Sequence, residues 1–209
     1  NHNAYAGYMY GTTANDYAST HTNTNSSEIK KVVDNWYKAN IVDKNYDKYV
    51  SKEAGFCGDR QVQSIGGSYT GNGGTSITSY APCARLYTAS TFEGKWKTTQ
   101  TATYSCNTND LYTVAASSKG NKALTYPVGL LTSDEAVYAG GFGGKTNSSY
   151  WIYTSSTYWT MSPGTFDNRR SSGFYVGNDG VVGFNVELYG VRPVINLASD
   201  VALTGSGTT

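Results

Sequence analysis

At 209 residues the chain is long enough to bury a real core, as one large domain or two small ones. Its 16 Lys+Arg against 15 Asp+Glu leave a net charge of +1, which gives nucleic acid no electrostatic footing, and no apolar run reaches the length of about eighteen residues that spans a membrane. Charged residues make up only 15%, and Thr, Ser, Asn, Gly and 19 tyrosines take their place, a palette that suits strands and also resembles that of antibody paratopes.

The chain starts Asn1-His2-Asn3 without a methionine, as expected of a fragment or a mature form that has lost its leader. The first clear element is a helix over Ser26–Ala39, with Asn25 as N-cap and Glu28 as the capping-box acid. Ile29, Val32, Val33, Trp36 and Tyr37 form its apolar stripe, and Lys30, Lys31, Asp34 and Lys38 its polar face. A shorter helix is expected over Asn45–Ala54, through Tyr46, Tyr49 and Val50. From Phe56 to Asn109 the signals fade into Gly, Ser and Thr; the run Gly66–Gly74 is a loop and lacks the Gly-Lys-Ser/Thr ending of a phosphate cradle.

Short strands are expected at Leu111–Val114 and Leu124–Leu130. A brief helix follows in Leu131–Gly141: Thr132 with Glu135 is a capping box, and Gly140 stops it after two turns at most. The last quarter, Tyr150–Leu197, is a β-rich unit in which Asp179-Gly180 joins two aromatic and β-branched runs as a hairpin. Period-2 alternation puts Val182, Phe184, Val186 and Leu188 toward the core, and Val181, Gly183, Asn185 and Glu187 outward with Tyr175. Trp159 and Trp151 are expected in the core, and Arg192 before Pro193 as a clamp beneath a turn. The order is α+β, a single domain over 1–203 with a flexible tail at 204–209.

Three cysteines, Cys57, Cys83 and Cys106, lie too far apart for a zinc motif. All three pairings are open; Cys57–Cys106 is favoured, clipping the central loops, with Cys83 buried or free. The histidines, His2 and His21, sit in the polar N-terminal stretch, a poor place for a hydrolytic triad. Asp134 and Glu135 are expected as helix-start charges.

Leu131–Gly141, Tyr158-Trp159-Thr160-Met161-Ser162-Pro163 and Tyr189-Gly190-Val191-Arg192-Pro193 resemble, in that order, the helix, the Trp-x-x-Ser-Pro element and the terminal Gly-Phe-Arg element of the sulfatase-modifying-factor group. The likeness is firmest over Thr125–Leu197. It implies a C-type-lectin-like fold: an N-terminal amphipathic helix, an irregular loop-rich middle and a C-terminal antiparallel sheet. That group includes formylglycine-generating enzymes and the variable ligand-binding proteins of diversity-generating retroelements. The ending Gly190–Leu197 is similar to that of a set of bacterial cell-surface proteins, some with pilin-like leaders. The departures matter. No cysteine follows Cys106, which argues against the enzymes, and the sugar-binding triplets Glu-Pro-Asn, Gln-Pro-Asp and Trp-Asn-Asp are missing, Phe166-Asp167-Asn168 being a distant echo.

The expectation is therefore a non-enzymatic, exported or surface-displayed adhesin or receptor-binding domain, on a cell or a phage virion, without metal or cofactor. Its ligand would be a protein or glycan on another cell surface, and any membrane attachment would come from a segment outside this chain. The expected ligand-binding residues are Tyr153, Phe166, Asn168, Arg169, Arg170, Tyr175, Asn178, Asp179, Asn185 and Glu187. The alternative is a pilin-like structural subunit.

Overall fold

A computed structural model describes residues 27–61, 78–86, 101–166 and 171–204. Helix α1 spans Glu28–Tyr37. Its N-cap is Ser27, whose Oγ accepts from the Lys30 amide at 3.0 Å; Asn25, the expected cap, lies outside the described residues. Ile29, Val33 and Tyr37 are buried. Lys30, expected on the polar face, is buried as well and ion-paired with Asp34 one turn on. The helix leaves through a π-turn at Lys38–Val42.

The helix expected over Asn45–Ala54 shrinks to a 3-10 turn, Asp47–Tyr49. Long-range pairing wins there: Val50 bridges Leu197, the Ser51 amide donates to the Asn196 carbonyl at 2.8 Å, and the Ala198 amide to that of Tyr49 at 2.9 Å. Strand β1 (Phe56–Cys57) pairs antiparallel with β3 (Leu111–Tyr112) as a small sheet. The Cys57–Cys106 disulfide closes beside it, and Cys83 is free and buried. The expected strand Leu124–Leu130 survives only as isolated bridges, Leu124 to Val114 and Gly129 to Val194.

Among the described residues the main sheet has five strands, β2 (Thr78–Ser79), β4 (Phe142–Gly143), β5 (Tyr158–Phe166), β6 (Ser171–Val176) and β7 (Val181–Asn185), in the order β2-β5-β6-β7-β4. Its consecutive C-terminal strands β5, β6 and β7 are antiparallel as expected, but β4 joins β7 in parallel, so the sheet is mixed. Helix α2 (Ala81–Leu86) and helix α3 (Ser133–Tyr138) pack on one face. The α3 capping box forms as the sequence implies: Thr132 Oγ1 accepts from the Glu135 amide at 3.1 Å and Glu135 Oε2 from the Thr132 amide at 2.7 Å.

Both faces of this sheet are covered. Tyr158, Phe174, Val176 and Val182 join Leu86, Ala136, Tyr150 and Ile152 on one side. Trp159 and Met161 join Ile29, Val33, Tyr37 and Tyr112 on the other, with Tyr175 and Tyr189 packed against them. The face expected to point outward through Tyr175 is thus covered too. Gly183 makes room for it, since a Cβ there would lie 2.7 Å from the Tyr175 hydroxyl. Strand β7 also ends at Asn185, earlier than the alternation implied, and Leu188 is 65% exposed.

Candidate functional site

The tip of the β6–β7 hairpin is tied down from several sides. Gly180 has φ +78°, and a Cβ there would fall 1.5 Å from the Asn147 carbonyl oxygen, so only glycine fits. The Asp179 carboxylate accepts from the Val181 amide at 3.0 Å, a local turn bond. Two tyrosines of the preceding turn tie themselves to this tip. The buried Tyr150 hydroxyl donates to the Gly180 carbonyl at 3.1 Å, and the half-buried Tyr153 hydroxyl to that of Asn178 at 3.0 Å. Thr157 Oγ1 accepts from the Asn178 amide at 3.1 Å.

Between these two tyrosines stands Trp151, 80% exposed. It was expected in the core. The turn at Tyr150–Tyr153, closed by the Tyr153 amide on the Tyr150 carbonyl at 2.9 Å, sends Tyr150 and Ile152 inward and leaves Trp151 outside. Tryptophan is among the residues most enriched at the energetic centres of contact surfaces. Arg192 supports the mount: Nη1 donates to the Ile152 carbonyl at 2.6 Å and the guanidinium lies 5.3 Å from the Tyr158 ring. The terminal motif is thus a clamp, as expected, and it continues through the Gly190–Tyr158, Val194–Gly129 and Leu197–Val50 bridges.

The expected ligand-binding residues divide between two ends of the sheet. Tyr153, Asn178 and Asp179 gather at the tip with Trp151. Phe166, of which the backbone alone is described, and Asn185 belong to the opposite end, where Asn185 sits opposite Gly173. Four residue steps of β7, about 13 Å, separate the ends. Tyr175 is half-buried between them, with its ring 4.8 Å from that of Tyr189. Asn185 turns inward too, its amide donating to the Tyr189 hydroxyl at 3.2 Å, whereas Glu187 is exposed. Asn168, Arg169 and Arg170 lie outside the described residues, as do His2, His21 and Gly66–Gly74.

A second constellation was not legible in the sequence. Arg85 of α2 grips Asp134 of α3 with two bonds, Nε at 2.9 Å and Nη2 at 2.8 Å, and reaches Asp59 through Nη2 at 2.7 Å. Ser162 Oγ donates to Asp59 at 2.5 Å and accepts from the Ser133 amide at 2.9 Å. Burial, together with the Asp134 charge and against the pull of Arg85, pushes the Asp59 carboxyl up to about 7. Nearby Cys83 donates its thiol to the Gly164 carbonyl at 3.0 Å, and burial pushes that thiol up to about 12. Every oxygen of Asp59 and Asp134 is thus engaged in joining four segments of the chain. Asp134 is a first-turn acid of α3, as expected, and serves as an internal ion-pair partner as well, while Glu135 does the capping.

Among the described residues, one group brings metal-type ligand atoms together: Cys57, Cys106 and Asp110. Its sulfurs are bonded to each other, and Asp110 is held by Arg60, Nε to Oδ1 at 2.6 Å. Among the described residues no helix is long and apolar enough to cross a membrane. Among the described residues, fold and site define a mixed α+β arrangement with two sheets, few helices and no barrel. No family model, curated protein or solved structure matches the chain.

Proposed function

We propose that this chain is a non-catalytic ligand-binding domain, exported or displayed on a surface, whose contact face is the hairpin tip around Trp151, Tyr153 and Asn178. The observation that carries the reading is the exposed Trp151 on a turn that the Tyr150 and Tyr153 hydroxyls tie to the Gly180 and Asn178 carbonyls of the hairpin tip. A turn fixed in this way lowers the backbone entropy lost when the surface binds. The ring offers a flat apolar surface to a protein or to the face of a sugar, and the exposed Asn178 side chain adds donors and an acceptor beside it. The chemistry-bearing groups support binding over catalysis. Cys83 is buried as a neutral thiol, and the carboxylates of Asp59 and Asp134 are committed to Arg85.

The C-type-lectin-like arrangement is part of the same proposal. Its support is the element order among the described residues, with α1 first, short elements and loops through the middle, and a C-terminal hairpin sheet, together with the pairing of Val50 with Leu197 that joins the segment after α1 to the C-terminal segment. The variable-protein reading adds that residues at the tip would differ between copies while Trp159 and Gly190–Pro193 stay fixed. A pilin-like subunit is the second reading; the exposed Leu188, Leu197 and Leu203 favour it, because packing subunits would cover them.

The test compares binding of the labelled chain to a printed glycan array and to intact bacterial cells with its sedimentation at rising concentration. Saturable binding by a chain that sediments as a constant small species supports the proposal. Filaments that grow with concentration, without saturable binding, would replace it with the subunit reading.

A further inference from the structure

A cleft of about 520 Å³ opens between the C-terminal end of α1 and the loop that joins β3 to α3. That volume lies within the range of roughly 300–1,000 Å³ typical of small-molecule sites. Its walls are mainly apolar, formed by Val42, Val114, Leu124 and Pro127 around the stacked rings of Tyr37 and Tyr126, whose centroids are 5.2 Å apart. None of these residues belongs to the hairpin tip.

Three polar features distinguish this cleft from a packing defect. Tyr37 is only 1% exposed, yet its hydroxyl has no hydrogen-bond partner among the described residues. Buried hydroxyls are normally paired, because an unmade hydrogen bond is costly. Burial first and the Asp47 carboxylate second push that hydroxyl up to about 12, so it remains a donor at neutral pH. Two opposite charges complete the lining: Asp47, half-buried, and Lys52, exposed. Neither belongs to an ion pair among the described residues.

We propose that this cleft binds a small zwitterion with an apolar side chain, an apolar dipeptide being the representative case. The ammonium group sits on Asp47 and the carboxylate on Lys52, and a shift of the stacked Tyr126 ring opens the buried Tyr37 hydroxyl to a carbonyl, while the side chain lies against Leu124. Other small ligands match less of the lining. A sugar would turn a row of hydroxyls toward Val, Leu and Pro, leaving most of them unpaired. A hydrocarbon would leave the Tyr37 hydroxyl orphaned, and a ligand of one charge would meet a like charge at the lining.

Calorimetric titration of the full chain with the dipeptide Leu-Leu tests this, with N-acetyl-leucinamide as the uncharged control. The dipeptide should bind more tightly than the control. Tyr37→Phe should weaken it about three- to tenfold, the value of one hydrogen bond, without lowering the melting temperature, since an unpaired hydroxyl is removed. Asp47→Asn should weaken it by about tenfold through loss of a charge-assisted contact. No heat of binding for Leu-Leu, equal affinity for the acetylated amide, or unchanged affinity in Tyr37→Phe would each overturn the proposal. That holds even if Tyr37→Phe raises the melting temperature, because the hydroxyl would then be an internal defect with no ligand.

Discussion

Asp59 provides the sharpest quantitative test of the buried network. Its carboxyl is pushed from the ordinary 3.8 up to about 7, chiefly by burial, with the Asp134 charge adding to the rise and Arg85 opposing it. One pKa unit corresponds to about 1.36 kcal/mol. Ionising Asp59 in the folded chain therefore costs about 4 kcal/mol more than in the unfolded chain. For a carboxyl raised on folding, the native state binds the extra proton between the two pKa values, so stability falls as pH rises. The loss runs from about pH 4 to about pH 7 and is complete above it. Asp59→Asn removes this titration while keeping an acceptor for Arg85 Nη2 and a polar partner for Ser162. Asparagine also tolerates the left-handed backbone at this position, φ +52°. The assay is urea unfolding of both proteins at pH 4.5 to 8, and the difference between them cancels the titration of groups remote from the Asp59–Arg85–Asp134 network. Wild type should lose about 3 kcal/mol relative to Asp59→Asn across that range, the first part of the loss lying below pH 4.5. A difference that is flat with pH, or that grows in favour of the wild type as pH rises, would refute the reasoning.

Removal of the Cys57–Cys106 bridge, by serine at both positions, frees a loop with a sequence separation of 49 residues; chain entropy puts the loss at about 4 kcal/mol, measurable as a lower denaturation midpoint. Gly180→Ala places a Cβ 1.5 Å from the Asn147 carbonyl oxygen at a positive φ. It should destabilise by about 2–4 kcal/mol in thermal unfolding, and a neutral result would mean that the hairpin tip is built differently. Thr132→Ala takes away half of the α3 capping box and should cost about 1 kcal/mol in the same assay.

Local signals carried the local structure. The Thr132–Glu135 box and the Asp179-Gly180 turn each consist of neighbours in the chain, and both formed where their residues stand. What failed depended on partners far away. Asn45–Ala54 has a helical pattern, but Val50 is drawn out to meet Leu197. Period-2 alternation separates the two faces of β7 and cannot say that both are covered, so Tyr175 and Asn185 were expected outside when Tyr189 was waiting beneath them. Trp151 and Trp159 sit in similar aromatic surroundings in the sequence. Their opposite fates follow from the hydroxyls of Tyr150 and Tyr153 reaching carbonyls that lie 30 and 25 residues on. The Asp59–Arg85–Asp134 network joins residues 26 and 49 positions apart and left no sequence pattern to read.

The central claim is that the hairpin tip, and not the opposite end of the sheet, makes the contact. It is tested by comparing Trp151→Ala with Leu188→Ala, two exposed side chains at different places, for retention on the same intact cells or arrayed glycans that capture the wild-type chain. The account predicts that Trp151→Ala loses at least tenfold in affinity at an unchanged melting temperature, a loss typical of an aromatic anchor, while Leu188→Ala binds as wild type. Full retention by Trp151→Ala, with binding lost instead in Leu188→Ala, would contradict it.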